Sequence, residues 1–340
     1  MMIFEVFPRF GTKNLAKYGL FLALVCPSSA AIPEDIDGRL ERIAQVFADA
    51  TIISGPTRVG CTLSGGTETT CFSITVSDDP KAYTPGPWCP RSIEDAADAG
   101  GIWLHDGKVH DVDGSFIEGL AEFYGDTKWQ LFDPETGAVR FTGTLAACEA
   151  AARPDVDPDY QNHCVECLPE YVPDEATTTY VIPLEPGAPE GAFPTRMSGS
   201  GVAYNGVRLD GPAPLDAILG AYTLAPFDDC GGHVNLHVGY HYHAVTDCLN
   251  DGPEASLPAH GAQVGIAMDG HPILTHLMAD GSEPADLDRC NGHVGEDGTY
   301  HYHAGAAGSN AILGCLRSEA GCTLNDPDAI CDATARRPRP

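Results

Sequence analysis

The chain has 340 residues, 43% of them hydrophobic, which is enough for two domains of ordinary size. Its 19 basic and 48 acidic side chains leave a formal net charge of −29. Such a surface repels nucleic-acid backbones and anionic lipid, so neither is expected as a partner. Aromatic residues (3 Trp, 12 Tyr, 12 Phe) and a normal apolar share argue against disorder.

The first 31 residues read as a signal peptide. Arg9, Lys13 and Lys17 supply a positive region, Tyr18 to Cys26 an apolar stretch, and Pro27-Ser28-Ser29-Ala30-Ala31 the small residues for cleavage near Ala30/Ala31. Lipidation at Cys26 is an alternative, but Val25 replaces the small residue expected before a lipidated cysteine. The apolar stretch is too short to span a bilayer, and no later segment reaches ~20 apolar residues, so no membrane span is expected. The expected location is periplasmic or secreted.

The cysteines agree with export. Of 13, removal of Cys26 with the signal leaves an even set, most simply paired as disulfides in an oxidising compartment. Locality suggests Cys61–Cys71, Cys89–Cys148, Cys164–Cys167, Cys230–Cys248, Cys290–Cys315 and Cys322–Cys331. Cys164-Val165-Glu166-Cys167 could alternatively be redox-active or hold zinc, although no second such pair completes a four-thiolate site.

After the signal, Ile36, Leu40, Ile43 and Phe47 lie at helical spacing. Strand-like runs follow at Thr57–Leu63 and Cys71–Val76, joined through Gly65-Gly66. Next come an acidic helix at Ser92–Ala99, a short strand at Ile102–His105 and a helix marked by Phe116, Ile117, Leu120, Phe123 and Tyr124. A hairpin is expected between Trp129–Phe132 and Ala138–Phe141. Asp106–Gly114 carries the residue types of a calcium loop without its ligand pattern and reads better as a turn. Residues 168–196 shift to Pro, Glu, Gly and Thr, the composition of a linker or an extended lead-in strand.

The strongest pattern is a duplication. Ten of the 13 histidines fall between His233 and His303. Asp228-Asp229-Cys230-Gly231-Gly232-His233-Val234 is followed, six residues later, by Tyr240-His241-Tyr242-His243-Ala244. Asp288-Arg289-Cys290-Asn291-Gly292-His293-Val294 precedes Tyr300-His301-Tyr302-His303-Ala304 in the same way, and ten of 17 positions are identical at an offset of 60. Ala203-Tyr204-Asn205-Gly206 and Ala267-Met268-Asp269-Gly270 echo one another ahead of the two copies.

Alternation along a strand puts His241 and His243 on one face, and likewise His301 and His303, with Tyr240, Tyr242, Tyr300 and Tyr302 opposite. A hairpin would return His233 and His293 to their own pairs, giving three imidazoles per copy, a donor set suited to copper or zinc. The metal ligands expected are therefore His233, His241, His243, His293, His301 and His303. The plainer alternative is hydrogen-bonded strand histidines. The tyrosines read as core residues with satisfied hydroxyls. Cys230 and Cys290 read as disulfide anchors rather than thiolate ligands. Asp228 and Asp288 could orient imidazoles or cap turns. His237, His260, His271 and His276 have no counterpart in the other copy and are secondary candidates.

The expected fold class is α+β: a disulfide-stapled N-terminal α+β half, and a mostly β C-terminal domain of two similar histidine-rich units with pseudo-twofold symmetry. The expected division is 1–31 signal peptide, 32–172 cysteine-containing α+β domain, 173–330 duplicated histidine domain, and 331–340 basic, proline-rich tail.

At these residues the chain resembles the bacterial YHYH-domain proteins. The resemblance rests on Gly201-Val202-Ala203-Tyr204-Asn205-Gly206-Val207, Gly265-Ile266-Ala267-Met268-Asp269-Gly270-His271-Pro272-Ile273, Leu287-Asp288-Arg289-Cys290-Asn291-Gly292-His293 and both tetrapeptides. It covers roughly residues 175–315. Gly86-Pro87-Trp88-Cys89-Pro90 and Asn162-His163-Cys164-Val165-Glu166-Cys167 are similar to the N-terminal extension of longer members. His271 departs from an aromatic residue more usual there, so no role passes to it. The resemblance implies an exported protein and assigns no catalytic residue.

Three functions fit these residues, in this order: an exported copper- or zinc-binding protein, an extracellular structural or binding module with histidine-tied hairpins, and a metal-dependent enzyme of hydrolase or copper-oxidase type. For the last, Glu296 and Asp297 would be a base near the second copy only.

Overall fold

The computed structural model describes residues 36–173, 176–195, 199–255 and 257–335. The expected signal peptide, with Cys26, and residues 336–340 of the expected tail lie outside the described residues.

Helix α1 (Ile36–Val46) carries Ile36, Leu40, Ile43 and Val46 half-buried against the main core. It leads into β1 (Ile52–Thr62) and β2 (Glu68–Ser77), an antiparallel pair with β-bulges near Ile52–Thr57. The acidic segment Ser92–Ala99 is not a helix. The Asp95 carboxylate accepts from the backbone N–H of Arg91 and Ser92 at 2.7 and 2.9 Å, which closes a turn, and only Ala97–Ala99 make one 3-10 turn. Strands β3 (Ile102–His105) and β4 (Lys108–Asp111) form a hairpin whose tip, Asp106-Gly107, has φ of 50° and 74°. That tip occupies the segment with calcium-loop composition. Asp113 then caps α2 (Gly114–Phe123) by accepting from Phe116 N, and Thr144 caps α3 (Leu145–Ala151). The hairpin expected at Trp129–Phe141 is reduced to a single bridge between Phe132 and Val139.

Residues 168–196 contain β5 (Thr177–Pro183), an interior strand. The C-terminal half adds β6 (Gly201–Ala203), β7 (Arg208–Leu209), α4 (Leu215–Gly220), β8 (Gly232–Asn235) and β9 (Gly239–Tyr242). It continues with β10 (Gln263–Ala267), β11 (Pro272–Leu274), β12 (Gly292–Val294), β13 (Tyr300–His303) and β14 (Cys322–Leu324).

One antiparallel sheet has the order β1-β2-β5-β14, so β5 pairs with strands from both ends of the chain. The other has eight strands in the order β12-β13-β11-β10-β6-β7-β9-β8. Read outward from the central β6–β10 pair, each side is an antiparallel turn-back, a parallel neighbour and an antiparallel hairpin. This is the pseudo-twofold arrangement of the duplicated units, and the molecule is α+β. The echoed tetrapeptides make the two equivalent turns, with Gly206 and Gly270 at φ of 90° and 89°.

Phe72, Ile74 and Tyr180 from the smaller sheet share one core with Val202, Tyr242, Ile266 and Tyr302 from the larger. The tyrosine face is therefore the core face. A second core, including Trp103, Ile117, Leu120 and Leu131, gathers the β3–β4 hairpin and α2 with Leu224. Its hairpin is tied to the first histidine unit by reciprocal backbone bonds between Ile102 and Phe227, at 2.7 and 3.0 Å.

All twelve described cysteines form six disulfides. Cys61–Cys71, Cys230–Cys248, Cys290–Cys315 and Cys322–Cys331 match the expected pairs. Cys89 bonds Cys164 rather than Cys148, and Cys148 bonds Cys167. Cys164 lies in extended backbone bridged to Phe141 and Leu224. Three extended residues separate α-carbons by ~10 Å, beyond the reach of a disulfide, so the two thiols take separate partners. With both in disulfides, the redox or zinc alternative for this pair also falls.

Candidate metal centres

Strand register assembles the first centre. β8 and β9 place His233 opposite His241, and alternation returns His243 to the same face. The three ligand atoms lie within 4.8 Å of one another. β12 and β13 repeat this with His293 opposite His301 and His303 beyond it. His260, in the turn before β10, joins them as a fourth. All six expected histidines are thus brought together, as two separate clusters.

Backbone carbonyls set the orientation of the rings. His241 Nδ1 donates to Gly239 O at 3.0 Å and His243 Nδ1 to Gly211 O at 2.6 Å. A carbonyl can only accept, so each Nδ1 carries the proton and each Nε2 presents a bare lone pair. Those two Nε2 atoms are 3.1 Å apart. Two acceptors at that separation repel unless a cation, or a proton, lies between them.

In the second unit, His293 Nδ1 donates to Ala285 O at 3.1 Å and His303 Nδ1 to Thr275 O at 2.8 Å. His301 makes a longer contact with Thr299 O, 3.4 Å. His293 Nε2 lies 3.0 Å from His301 Nε2, and His260 Nδ1 lies 3.3 and 3.0 Å from the same two atoms. A proton on His260 Nδ1 can satisfy one neighbour, but His303 Nε2 stays buried with no hydrogen-bond partner. Four nitrogens at ~2.05 Å around a tetrahedral ion are ~3.3 Å apart, so the spacing suits a first-row metal.

Burial favours the ligating, neutral form of the six repeat histidines. Burial, reinforced by neighbouring imidazoles, holds His233 and His241 well below the usual histidine range. Burial lowers His243 and His293 as well, and brings His301 and His303 down to about 4.

The tyrosine side is fully satisfied. Tyr240 donates to Asp228 and Tyr300 to Asp288 at 3.0 Å. Tyr302 donates to Asp269 at 2.6 Å, and Tyr242 meets Asn205 Nδ2 at 2.8 Å as well as Tyr83. Asp228 and Asp288 also accept from the backbone N–H two and four residues on. They cap turns and hold tyrosines. The carbonyl oxygens, not these carboxylates, orient the imidazoles.

The remaining candidates fall elsewhere. His271 packs edge-on against Tyr300 at 4.9 Å between ring centres, and His276 Nδ1 bonds Ala304 O at 3.0 Å. Asp297 caps an exposed turn by accepting from Thr299 N, and neither it nor Glu296 joins a cluster. His237 is exposed and lines a cleft of about 540 Å³ that reaches His233, His241 and His243. His260 was legible only as a secondary candidate because the repeat does not supply it.

Fold and site together define a disulfide-stapled α+β protein with a duplicated sheet and two histidine clusters that could hold metal ions. Residues 179–285 match the family model described as YHYH protein. That match contains His233, His241, His243 and His260 and ends before His293. No curated protein and no solved structure matches the chain.

Proposed function

We propose that this is an exported protein that binds two copper or zinc ions, one at His233, His241 and His243 and one at His260, His293, His301 and His303. The observation that carries the reading is the convergence, twice, of imidazole nitrogens, among them the Nε2 atoms of His241, His243, His293 and His303, whose Nδ1 protons are committed to backbone carbonyls. Ligand histidines held in this way are set in tautomer and direction before the metal arrives. The donor set is nitrogen alone, since every described cysteine is oxidised, which favours copper and zinc over metals that require oxygen or thiolate.

The basic, apolar and small-residue succession over residues 1–31 supports export, and six disulfides suit an oxidising compartment. The division into a signal peptide, a cysteine-containing half from 32, a histidine domain from 173 and a tail from 331 is part of the same proposal.

The test is metal content by mass spectrometry on untagged protein recovered from the periplasm. Two equivalents are expected, falling to one in the double variant His241→Ala/His243→Ala. Protein that carries no copper or zinc and takes up none on titration would overturn the reading.

A further inference from the structure

The two centres differ in what surrounds them, and resting on the metal-binding reading, we propose that they differ in use. The first takes an exogenous anionic donor, the carboxylate or phenolate head of a mostly apolar molecule, from the cleft beside it. The second is closed by its fourth histidine.

The asymmetry is visible in register. On the parallel strand beside each Tyr-His-Tyr-His segment, Arg208 is paired with His241 and Leu209 with Tyr242, while Ile273 is paired with Tyr302 and Leu274 with His303. The positions equivalent to Arg208 and Asp210 are therefore Pro272 and Leu274. Next to the first centre stands an ion pair, Arg208 to Asp210 at 3.2 Å, with Arg208 almost fully buried. Next to the second stand two apolar residues. Among the described residues His260 has no counterpart at the first centre, where the cluster consists of three imidazoles.

The space left is a cleft of about 540 Å³, bounded by both halves of the chain. Val156, Val165, Ile218, Pro226, Val234 and Val238 give it a mostly apolar lining, and all three ligand histidines border it. Three neutral imidazoles leave a divalent ion its full charge and an open position. The Arg208–Asp210 pair adds no net charge. A single anionic donor neutralises the site best, and the apolar walls accept the rest of the molecule.

Cobalt(II) reports coordination changes at each centre through its visible spectrum. Protein loaded with cobalt is titrated with azide, then with benzoate. One of two bound cobalt ions should respond to both anions, and the response should vanish in His241→Ala. In His260→Ala the second centre opens, and azide should then perturb both ions. Val238→Glu, at the cleft wall, should weaken benzoate about tenfold and leave azide within about twofold.

Two bound cobalt ions with no response would overturn this proposal and leave the metal-binding reading standing. A response from both ions in the unaltered protein would overturn the difference between centres. Azide binding without benzoate binding would overturn the apolar ligand class. Failure to bind cobalt, copper or zinc would overturn the metal-binding reading, and this proposal with it.

Discussion

A Tyr-His-Tyr-His segment puts two chemistries on one strand. The imidazoles face away from the inter-sheet core and the phenols face into it, because successive side chains of a strand point oppositely. Each phenol ends on a polar group that backbone donors also hold. Tyr302 illustrates this: its hydroxyl donates to Asp269, which is fully buried and also accepts from Arg317 N and Ser318 N at 3.1 Å each. Replacing Tyr302 by Phe removes its bond to a buried carboxyl group and the bond its hydroxyl accepts from Arg317 N at 2.6 Å, and should cost about 1–3 kcal/mol in denaturant unfolding. Metal stoichiometry should stay unchanged, since the ring lies on the other side of the sheet from His301 and His303. A variant as stable as the parent would show that this bond does not hold the core, and loss of metal would show that the phenol serves the centre.

The repeating element is a hairpin that begins Asp-x-Cys-x-Gly-His. Its second variable position is Gly231 in one copy and Asn291 in the other, with φ of 82° and 67°, a left-handed conformation that these two residue types tolerate best. The glycine that follows is kept for space. A Cβ on Gly232 would lie 2.4 Å from the Tyr240 hydroxyl oxygen, and one on Gly292 2.0 Å from that of Tyr300. Gly292→Ala should therefore drive Tyr300 off Asp288 and cost about 1–3 kcal/mol; an unchanged denaturation midpoint would refute the close approach.

These hairpins were legible in the sequence because duplication, strand alternation and glycine placement all point the same way. The pairing of β5 with β2, and the exchange of partners among Cys89, Cys148, Cys164 and Cys167, were not. Both depend on contacts between segments far apart in the chain, which local spacing does not encode. His260 was hidden for a related reason: it reaches its cluster from a turn outside the repeated unit.

At the scale of the molecule, the two sheets and the N-terminal half bury an unusual number of ionisable rings, and stability should follow their titration. An unfolded histidine takes a proton near pH 6.5, whereas His301 and His303 in the fold wait until about 4, and His233, His241, His243 and His293 are shifted the same way by burial. Between those limits the unfolded chain binds more protons than the folded one, so stability rises with pH across the window and is lost as pH falls through it. Asp228 works in the opposite sense. Burial pushes its carboxyl up to about 6, so its contribution is present below pH ~4 and lost as pH rises through 6. Burial raises Asp78, Glu166 and Asp229 as well, but it lowers His271 with the six rings, so four carboxyls stand against seven histidines. Chelator-treated protein with its disulfides intact should therefore melt at least about 5 °C lower at pH 4.5 than at pH 7. Bound metal should raise both melting temperatures and steepen the dependence, since protons and metal compete for the same lone pairs. A melting temperature that is flat or rises on acidification would mean that the rings are not held neutral, and the argument that their lone pairs converge on a cation would lose its footing.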